Sequence, residues 1–183
     1  TLDDLAWLRA RGLDGPLLER HRGGQPVLGI CGGFQMLGRH VADPDGVEAG
    51  SPAAAVGLGL LPVRTRFGAE KVLARPTGAA LGHEVRGYVI HHGRIDVRGG
   101  EAFLEGCRDG ATWGTLWHGA FENDGFRRAF LAHVAADAHR SDWQVSQETA
   151  FAAERERQID LLADAVEEHL DIDALLSIIE RGA

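Results

Sequence analysis

A cysteine set among glycines is the side chain in this sequence best suited to act as a nucleophile. Cys31 lies in the run GICGGFQMLG, residues 29–38, after the short apolar stretch 27–30 and before a segment typical of a helix start. Glycines on both sides permit a sharp backbone turn and let a substrate approach the main chain closely. Free N–H groups at a helix start favour thiolate over thiol and can stabilise an oxyanion. The pattern predicts acyl-transfer chemistry at Cys31.

Residue types alone leave two other interpretations of this turn. A cysteine in an apolar run is most often a small buried side chain. A glycine-rich turn between strand and helix can also hold phosphate, but a phosphate loop ends in Gly-Lys-Ser/Thr. Here Phe34 and Gln35 follow the glycines, and Lys71 is the only lysine of the sequence. Phosphate binding at this turn is therefore disfavoured.

Histidine is the side chain that most often moves protons near neutral pH, and His118 is the best placed of nine. It follows residues 112–117, which are typical of a strand, and parallel strands gather chemistry at their carboxyl ends. We therefore expect His118 to lie near Cys31. His91 and His92 are neighbours in a predicted strand and point to opposite faces, so they are poorly placed to share a metal. We expect no metal site, and we expect His91 to line the active-site side.

Two of these segments resemble class I, triad-type glutamine amidotransferases, which hydrolyse glutamine to release ammonia. The pattern G-x-C-x-G-x-Q of residues 29–35 is similar to the nucleophile elbow of that family. The segment GTLWHG, residues 114–119, is similar to the strand end that carries the family's catalytic histidine.

Further segments resemble the cobyric acid synthase branch of the family, in which this domain is carboxyl-terminal. They are GLGLLPV at 57–63, FGAEK at 67–71, GYVIHHGR at 87–94 and FENDGFRR at 121–128. This resemblance implies three partners: L-glutamine, a synthetase domain of the same polypeptide, and a corrinoid acceptor amidated there. The acceptor would be adenosylcobyrinic acid a,c-diamide, amidated at side chains b, d, e and g. ATP and Mg²⁺ are implied for the synthetase domain, and no cofactor is implied for this chain.

The resemblance also assigns roles within the site. Cys31 would be the nucleophile and His118 the general acid and base. Backbone N–H groups near Gly32 and Gly33 would stabilise the oxyanion, and Gln35 would help to bind the substrate.

The resemblance leaves the third member of the triad open. Many family members have a glutamate two positions after the histidine, where this sequence has Ala120. Glu122 and His91 are the candidates for a third member or for active-site lining. A carboxylate from elsewhere or a Cys-His dyad would also suffice. The ordinary interpretation of Glu122 is a residue that leads into a helix.

These residues need a scaffold, and the pattern predicts an α/β fold: a doubly wound, flavodoxin-like, mostly parallel sheet with flanking helices. The run 27–30 is apolar on both faces, as in a buried parallel strand. Residues 43–52 are rich in turn formers and predict an exposed connecting loop. Predicted strands are 27–30, 58–63, 72–73, 85–90 and 112–117. Asp124 is a predicted cap for a helix with Phe126, Phe130 and Val134 at fourfold spacing.

The domain organisation follows from the same patterns. Residues 1–140 form the predicted amidotransferase domain, and residues 141–183 a helical extension packed on it. The stripe Ile159, Leu162, Val166 and Leu170 suggests core packing, and Asp171 or Asp173 can cap a last short helix. The sequence starts inside a predicted helix without an initiator methionine. We therefore expect the domain to lack its first strand or strands, and the upstream ATP-dependent synthetase domain to be absent.

Composition narrows the class of protein. The chain has 183 residues, is 44% hydrophobic, and carries 27 acidic against 19 basic side chains, for a net charge of −8. This balance argues against a nucleic-acid surface, and no apolar run is long enough to span a membrane. Cys31 and Cys107 give no disulfide framework, so we expect a cytoplasmic protein.

Three alternative functions stay open. One is the glutaminase subunit of a lipid II amidating complex or another class I amidotransferase. A second is a different Cys-His hydrolase, and a third is a catalytically silent interaction module.

Overall fold

The computed structural model describes residues 1–140 and 142–182 as a mixed α/β protein. The chain divides into two compact units, Thr1–Val145 and Ser146–Ala183. The first compact unit ends at Val145. The predicted division into an amidotransferase domain ending at residue 140 and an extension packed on it stays a prediction. The helices are α1 Leu2–Ala10, α2 Asp14–Arg22, α3 Gly32–Leu37, α4 Asp124–Asp137, α5 Phe151–His169 and α6 Ile172–Arg181.

The strands of the first unit form two four-stranded sheets and one two-stranded sheet, with orders β1-β10-β9-β8, β3-β2-β4-β7 and β5-β6. They are β1 Val27–Ile30, β2 His40–Asp43, β3 Ala53–Val56, β4 Val63–Ala74, β5 Thr77–Ala80, β6 His83–Arg86, β7 Val89–Val97, β8 Glu101–Ala102, β9 Gly106–Asp109 and β10 Thr112–Thr115. Of the predicted strands, 27–30 is β1, 72–73 lies within β4, 85–90 is divided between β6 and β7, and 112–117 is shortened to β10.

The strand that leads to Cys31 pairs in parallel with the strand that leads to His118. Ile30 lies opposite Thr115, and the next N–H, that of Cys31, donates to the Thr115 carbonyl at 2.8 Å. Parallel strands end at the same edge of a sheet, where α/β proteins gather their chemistry. Both candidate catalytic residues therefore follow strands that end at one edge.

The predicted α/β class is confirmed, and parallel pairing occurs where β1 meets β10 and where β2 meets β4. The other described pairs are antiparallel. Short connections explain several of them, because strands joined by a tight turn can pair only in the antiparallel direction. Residues 81–82 join β5 to β6, and residues 110–111 join β9 to β10. The expectation of a mostly parallel sheet thus holds for two pairs and not for the rest.

Strand β1 is buried on one face only. Val27 and Gly29 are buried, whereas Leu28 and Ile30 leave 36% and 37% of their surface exposed. The prediction of burial on both faces is therefore wrong. Within the described ranges, β1 has β10 as its one neighbouring strand, and α3 packs on the face that holds Gly29.

Helix α3 lies so close to this sheet that glycine alone fits beneath it. A Cβ at Gly114 would come within 2.0 Å of Cδ2 of the fully buried Phe34. Gly29 lies opposite Gly114, and a Cβ there would be 2.7 Å from the Phe34 backbone nitrogen. Contacting carbon atoms are normally about 3.5–4.0 Å apart. The two glycines therefore let α3, and the turn before it, sit directly against the strands.

Residues 58–62 form a loop where a strand was predicted, and β4 begins only at Val63. Buried leucines in this loop donate their N–H groups to the carbonyls of Met36 and Leu37 at 2.8 to 2.9 Å. The last carbonyls of a helix have no partner within the helix, so the loop satisfies the end of α3. An apolar run alone does not distinguish such a cap from a strand. The leucines are Leu58, Leu60 and Leu61.

Helix α4 supplies an aromatic part of the core. Phe126 and Phe130 are buried, and the Phe103 ring lies 6.1 and 6.2 Å from theirs and 4.9 Å from Trp113. The predicted fourfold spacing is therefore confirmed as a buried helix face. Asn123, and not the predicted Asp124, occupies the N-cap position.

The second unit contains α5 and α6, whose described residues include no buried side chain. Of the two aspartates predicted as caps of α6, Asp171 is the cap, because its side chain accepts from the Ala174 N–H at 2.9 Å. Within this unit the stripe predicted as core is 42% to 68% exposed, since two helices provide too little surface to enclose it. That stripe is Ile159, Leu162, Val166 and Leu170. Over the described ranges, no helix combines the length and apolar character that crossing a membrane requires.

Replacing Gly114 with alanine is expected to lower the free energy of unfolding by about 1–3 kcal/mol, because the new Cβ collides with Phe34. Gly68→Ala is the matched control, since Gly68 also lies in a strand but has no atom within 4 Å of its Cβ position. We expect that control to change stability by less than about 0.5 kcal/mol. Urea unfolding followed by tryptophan fluorescence measures both; equal stability of the two variants would mean that α3 can move off the sheet without cost.

Candidate active site

Cys31 occupies the turn between β1 and α3 in a backbone conformation that residues other than glycine rarely adopt. Its φ is 51° and its ψ is −113°, which lies outside the usual left-handed well. Hydrogen bonds hold the turn on both sides: the Cys31 N–H donates to Thr115, and the Cys31 carbonyl accepts from the Gln35 N–H at 3.1 Å. The sharp turn predicted from the flanking glycines is therefore present.

An open cleft of about 370 Å³ lies beside the thiol. Cys31 is partly buried, and its Sγ lies 4.0 Å from the carbonyl oxygen of Ile90 in β7. Of the predicted site residues, Gly32, Gln35 and His91 line this cleft together with Cys31. The complete lining is Thr1, Cys31, Gly32, Gln35, Val47, Glu48, Phe67, Ile90, His91 and His92.

The protonation of the thiol differs from the expectation based on a helix start. Burial raises the pKa of Cys31 above its ordinary value, and the opposing N–H of Gly32 is too weak to reverse the shift. Helix α3 is only six residues long, so its dipole is small. Cys31 is therefore a neutral thiol at pH 7, and forming the nucleophilic thiolate needs a proton acceptor.

Gln35 is a buried wall of the cleft. Its side chain is 2% exposed, and its Oε1 accepts from the Thr1 hydroxyl at 3.2 Å. Its Nε2 has no hydrogen-bond partner among the described residues and lies where a Cβ on Gly93 would come within 2.4 Å. Gly33, also a predicted site residue, has no atom within 4 Å of its Cβ position, so this side of the turn is open.

His118 lies just beyond β10, and its backbone pairs with that of Tyr88, the residue before β7. Its N–H donates to the Tyr88 carbonyl at 2.8 Å, and its carbonyl accepts from the Tyr88 N–H at 3.0 Å. The two rings stack with centroids 5.0 Å apart and an interplanar angle of 12°. The Nε2 of His118 is buried without a hydrogen-bond partner among the described residues. The imidazole is thus held in place while one nitrogen is left for a proton transfer.

The candidate third member, Glu122, lies in a short 3-10 turn, Ala120–Glu122, that leads towards α4. A Cβ on Gly119, the neighbour of His118, would lie 3.4 Å from Glu122 Oε1. The carboxylate is therefore close to the backbone beside the histidine. Its role as a third member stays a prediction.

His91 lies in the cleft wall, and both nitrogens of its imidazole are buried. Both of its ring nitrogens lack a hydrogen-bond partner among the described residues. The same side chain also lines a second cavity of about 430 Å³, together with Gly93 and Leu116. His92 lies in the cleft wall too, with its Nδ1 3.3 Å from the Gly68 carbonyl oxygen. Over the described ranges, no group of three or more His, Cys, Asp or Glu side chains is arranged to hold a metal ion.

The segment 44–50 contributes two residues to the cleft that were not predicted as site residues, Val47 and Glu48. The Glu48 side chain is 26% exposed and accepts from the Thr1 amino group and from the Leu2 N–H. The prediction that the loop of residues 43–52 serves only as a connection is therefore wrong. An apolar and an acidic residue within a run of turn formers was the available signal.

Comparison with known proteins gives this geometry its context. Residues 1–126 match the family model of the CobB/CobQ-like glutamine amidotransferase domain, a range that includes both Cys31 and His118. The chain belongs to this family. It is a glutamine amidotransferase domain, and its α/β fold agrees with the class I type.

Relatives of this CobB/CobQ-like domain match it along its whole length. The cobyric acid synthases of Streptomyces avermitilis, Streptomyces coelicolor and Mycobacterium tuberculosis are 56%, 55% and 51% identical over 183, 184 and 186 residues. The matches cover 100% of this chain but only 36% of each relative. The predicted resemblance to the cobyric acid synthase branch is confirmed.

The raised pKa of the thiol predicts how Cys31 reacts with an alkylating agent. Below that pKa the thiolate fraction, and with it the rate of iodoacetamide modification, should rise about tenfold per pH unit and keep rising to pH 9. Cys31→Ala protein measures any contribution of Cys107, which is fully buried. A rate that is already level between pH 6 and pH 8 would instead indicate a preformed thiolate.

Proposed function

We propose that this CobB/CobQ-like domain hydrolyses L-glutamine through Cys31 and His118 and delivers the ammonia to a synthetase domain of the same polypeptide. The observation that carries the proposal is the strained cysteine turn at an open cleft, paired in register with the strand that leads to the histidine. The φ of 51° and ψ of −113° at Cys31 lie outside the left-handed well, and residues held in such sparsely populated conformations cluster at functional sites.

Attack by sulfur is the first step. Because the pKa of Cys31 is raised, the thiol proton must pass to a base, and His118 is the base that we assign. The sulfur then bonds to the side-chain carboxamide carbon of glutamine, and the carbonyl oxygen becomes an oxyanion. The backbone N–H of Gly32, at the head of the cleft, is the donor that we assign to it.

Release of ammonia and of glutamate completes the cycle. Protonated His118 returns its proton to the amide nitrogen as the carbon–nitrogen bond breaks, which leaves a γ-glutamyl thioester on Cys31. His118 then takes a proton from water, the hydroxide adds to the thioester carbon, and the thiol departs with that proton. The buried Nε2 of His118, which lacks a partner among the described residues, supports this assignment.

Recognition of the amino acid end of glutamine falls to the other cleft residues. We assign the carboxylate of Glu48 to the α-ammonium group of the substrate, because it is the acidic side chain in the cleft lining. Gln35 and His91 form the polar wall of the same cleft. Glu122 is the candidate third member that would orient His118, with a carboxylate from elsewhere or a Cys-His dyad as the alternatives.

The destination of the ammonia is inferred from the relatives, of which this chain spans about a third. Their name, cobyric acid synthase, supports a role in cobalamin biosynthesis. The acceptor in our proposal is adenosylcobyrinic acid a,c-diamide, amidated at side chains b, d, e and g. ATP and Mg²⁺ would act in the synthetase domain, and no residue of this chain is assigned to them. We place the protein in the cytoplasm, because a reducing compartment keeps a working thiol free.

Replacing Cys31 with alanine in the complete polypeptide should abolish amidation from glutamine and largely preserve amidation from added ammonia, because ammonia bypasses the thioester. Cys107→Ala is the control; it also removes a thiol, but one that is buried in β9. Product formation from each nitrogen source is measured. Equal loss with both sources in a folded Cys31→Ala variant would refute this division of labour.

Replacing His118 with asparagine should leave Cys31 open to covalent modification by a glutamine analogue but lower glutaminase turnover by about a hundredfold or more, the usual share of general acid–base catalysis. His139→Asn is the matched control, because His139 is exposed and its φ of 54° suits asparagine. Turnover close to that of the wild type would remove His118 from the mechanism and point to His91.

A further inference from the structure

Asp43, the last residue of β2, is a fully buried carboxylate that no step of the proposed mechanism uses. Its Oδ1 accepts from the Val47 N–H, and its Oδ2 accepts from the N–H groups of Glu48 and Ala49, each at 2.8 Å. Burial opposes ionisation, but the N–H groups of Ala49, Glu48 and Val47 outweigh it and hold the pKa of Asp43 below its ordinary value. Asp43 is therefore an anion at neutral pH, bound to three consecutive peptide groups.

Those three peptide groups belong to the segment that enters the cleft. Val47 and Glu48 both line the cleft beside Cys31. Val47 and Ala49 also pack on a small apolar cluster formed by Leu2, Val41 and Phe67. Apolar packing is not directional, so it keeps the segment near the cleft without setting where the Glu48 side chain points. Hydrogen bonds from residues 47–49 to one rigid carboxylate fix the backbone from which the Glu48 side chain extends. The Leu2 N–H and the Thr1 nitrogen then donate to the two oxygens of that side chain at the cleft.

We propose that Asp43 is a positioning residue for glutamine recognition: it holds the 47–49 backbone so that the Glu48 carboxylate faces the substrate's α-ammonium group. The proposal rests on the proposed function, because it assigns Glu48 to that ammonium group. Asp43 itself contacts no reacting atom and acts only through Glu48.

An asparagine at this position tests the charge and the second oxygen with little change in size. Asn has one acceptor oxygen, so its NH₂ group would face an N–H donor and leave at least one buried N–H unpaired. In the complete polypeptide, Asp43→Asn should raise the KM for glutamine by about tenfold or more, the effect of losing a hydrogen bond to a charged group. The kcat at saturating glutamine and the amidation from added ammonia should stay within about twofold, since Cys31 and His118 are untouched.

Two further variants separate positioning from general stability. Asp45→Asn makes the same change at the neighbouring aspartate, which is exposed, and should leave the KM unchanged. Glu48→Gln alone should raise the KM for glutamine. Asp43→Asn should then raise the KM by clearly less in the Glu48→Gln background than in the wild type, because the two residues act as one unit.

Amide hydrogen exchange on the wild-type protein gives a readout that needs no variant. The segment 44–50 should exchange far more slowly than unprotected backbone of the same sequence, even without glutamine. If Asp43→Asn does not fold, the exchange rates of the wild-type protein test the proposal, and unprotected amides at 47–49 overturn it. If the variant folds, a KM equal to that of Asp45→Asn, or additive effects with Glu48→Gln, overturns it. A wild-type protein that hydrolyses no glutamine would refute the proposed function instead, and the exchange rates would still report on the segment.

Discussion

One backbone hydrogen bond, from the Cys31 N–H to the Thr115 carbonyl, fixes the relation between the two chemically active strand ends. It is the last link of the parallel pairing between β1 and β10, so the register of that pair decides which residues meet at the sheet edge. His118 follows and pairs with Tyr88, and two residues further along that segment the Ile90 carbonyl faces the Cys31 thiol. The three segments thus constrain one another, and a slip in any one would misplace the other two.

Close packing makes this arrangement depend on residues with no chemistry of their own. Gly29 and Gly114 lie side by side in the sheet, and the absence of their side chains lets Phe34 reach the strands. The loop 58–62 then satisfies the carbonyls at the far end of α3. The short helix is therefore held by the sheet on one side and by the loop at its end. A six-residue helix needs this support because it has few hydrogen bonds of its own.

Sequence reasoning could predict the parts of the fold and site that depend on local pattern. The turn at Cys31, the fourfold spacing of α4 and the Asp171 cap each depend on residues that are close together in the sequence, and all three are present. Contacts between distant segments could not be predicted in this way. The stacking of Tyr88 on His118, for example, joins residues 30 positions apart. The binding of 47–49 by Asp43 is local in the sequence, but it depends on burial that turn-forming residues do not indicate. An apolar run also does not reveal how many neighbours a strand has, which is why the exposure of Leu28 and Ile30 was not predicted.

The positive φ of Cys31 makes the stability of the domain and selection for the reaction favour different residues at this position. Holding a side chain in that conformation costs about 1–3 kcal/mol, and glycine would occupy it with much less strain. Drift towards a more stable domain therefore favours losing the thiol at this position. Only selection on the reaction itself can keep a cysteine there, so lineages that no longer need the chemistry should lose Cys31 while the surrounding fold persists.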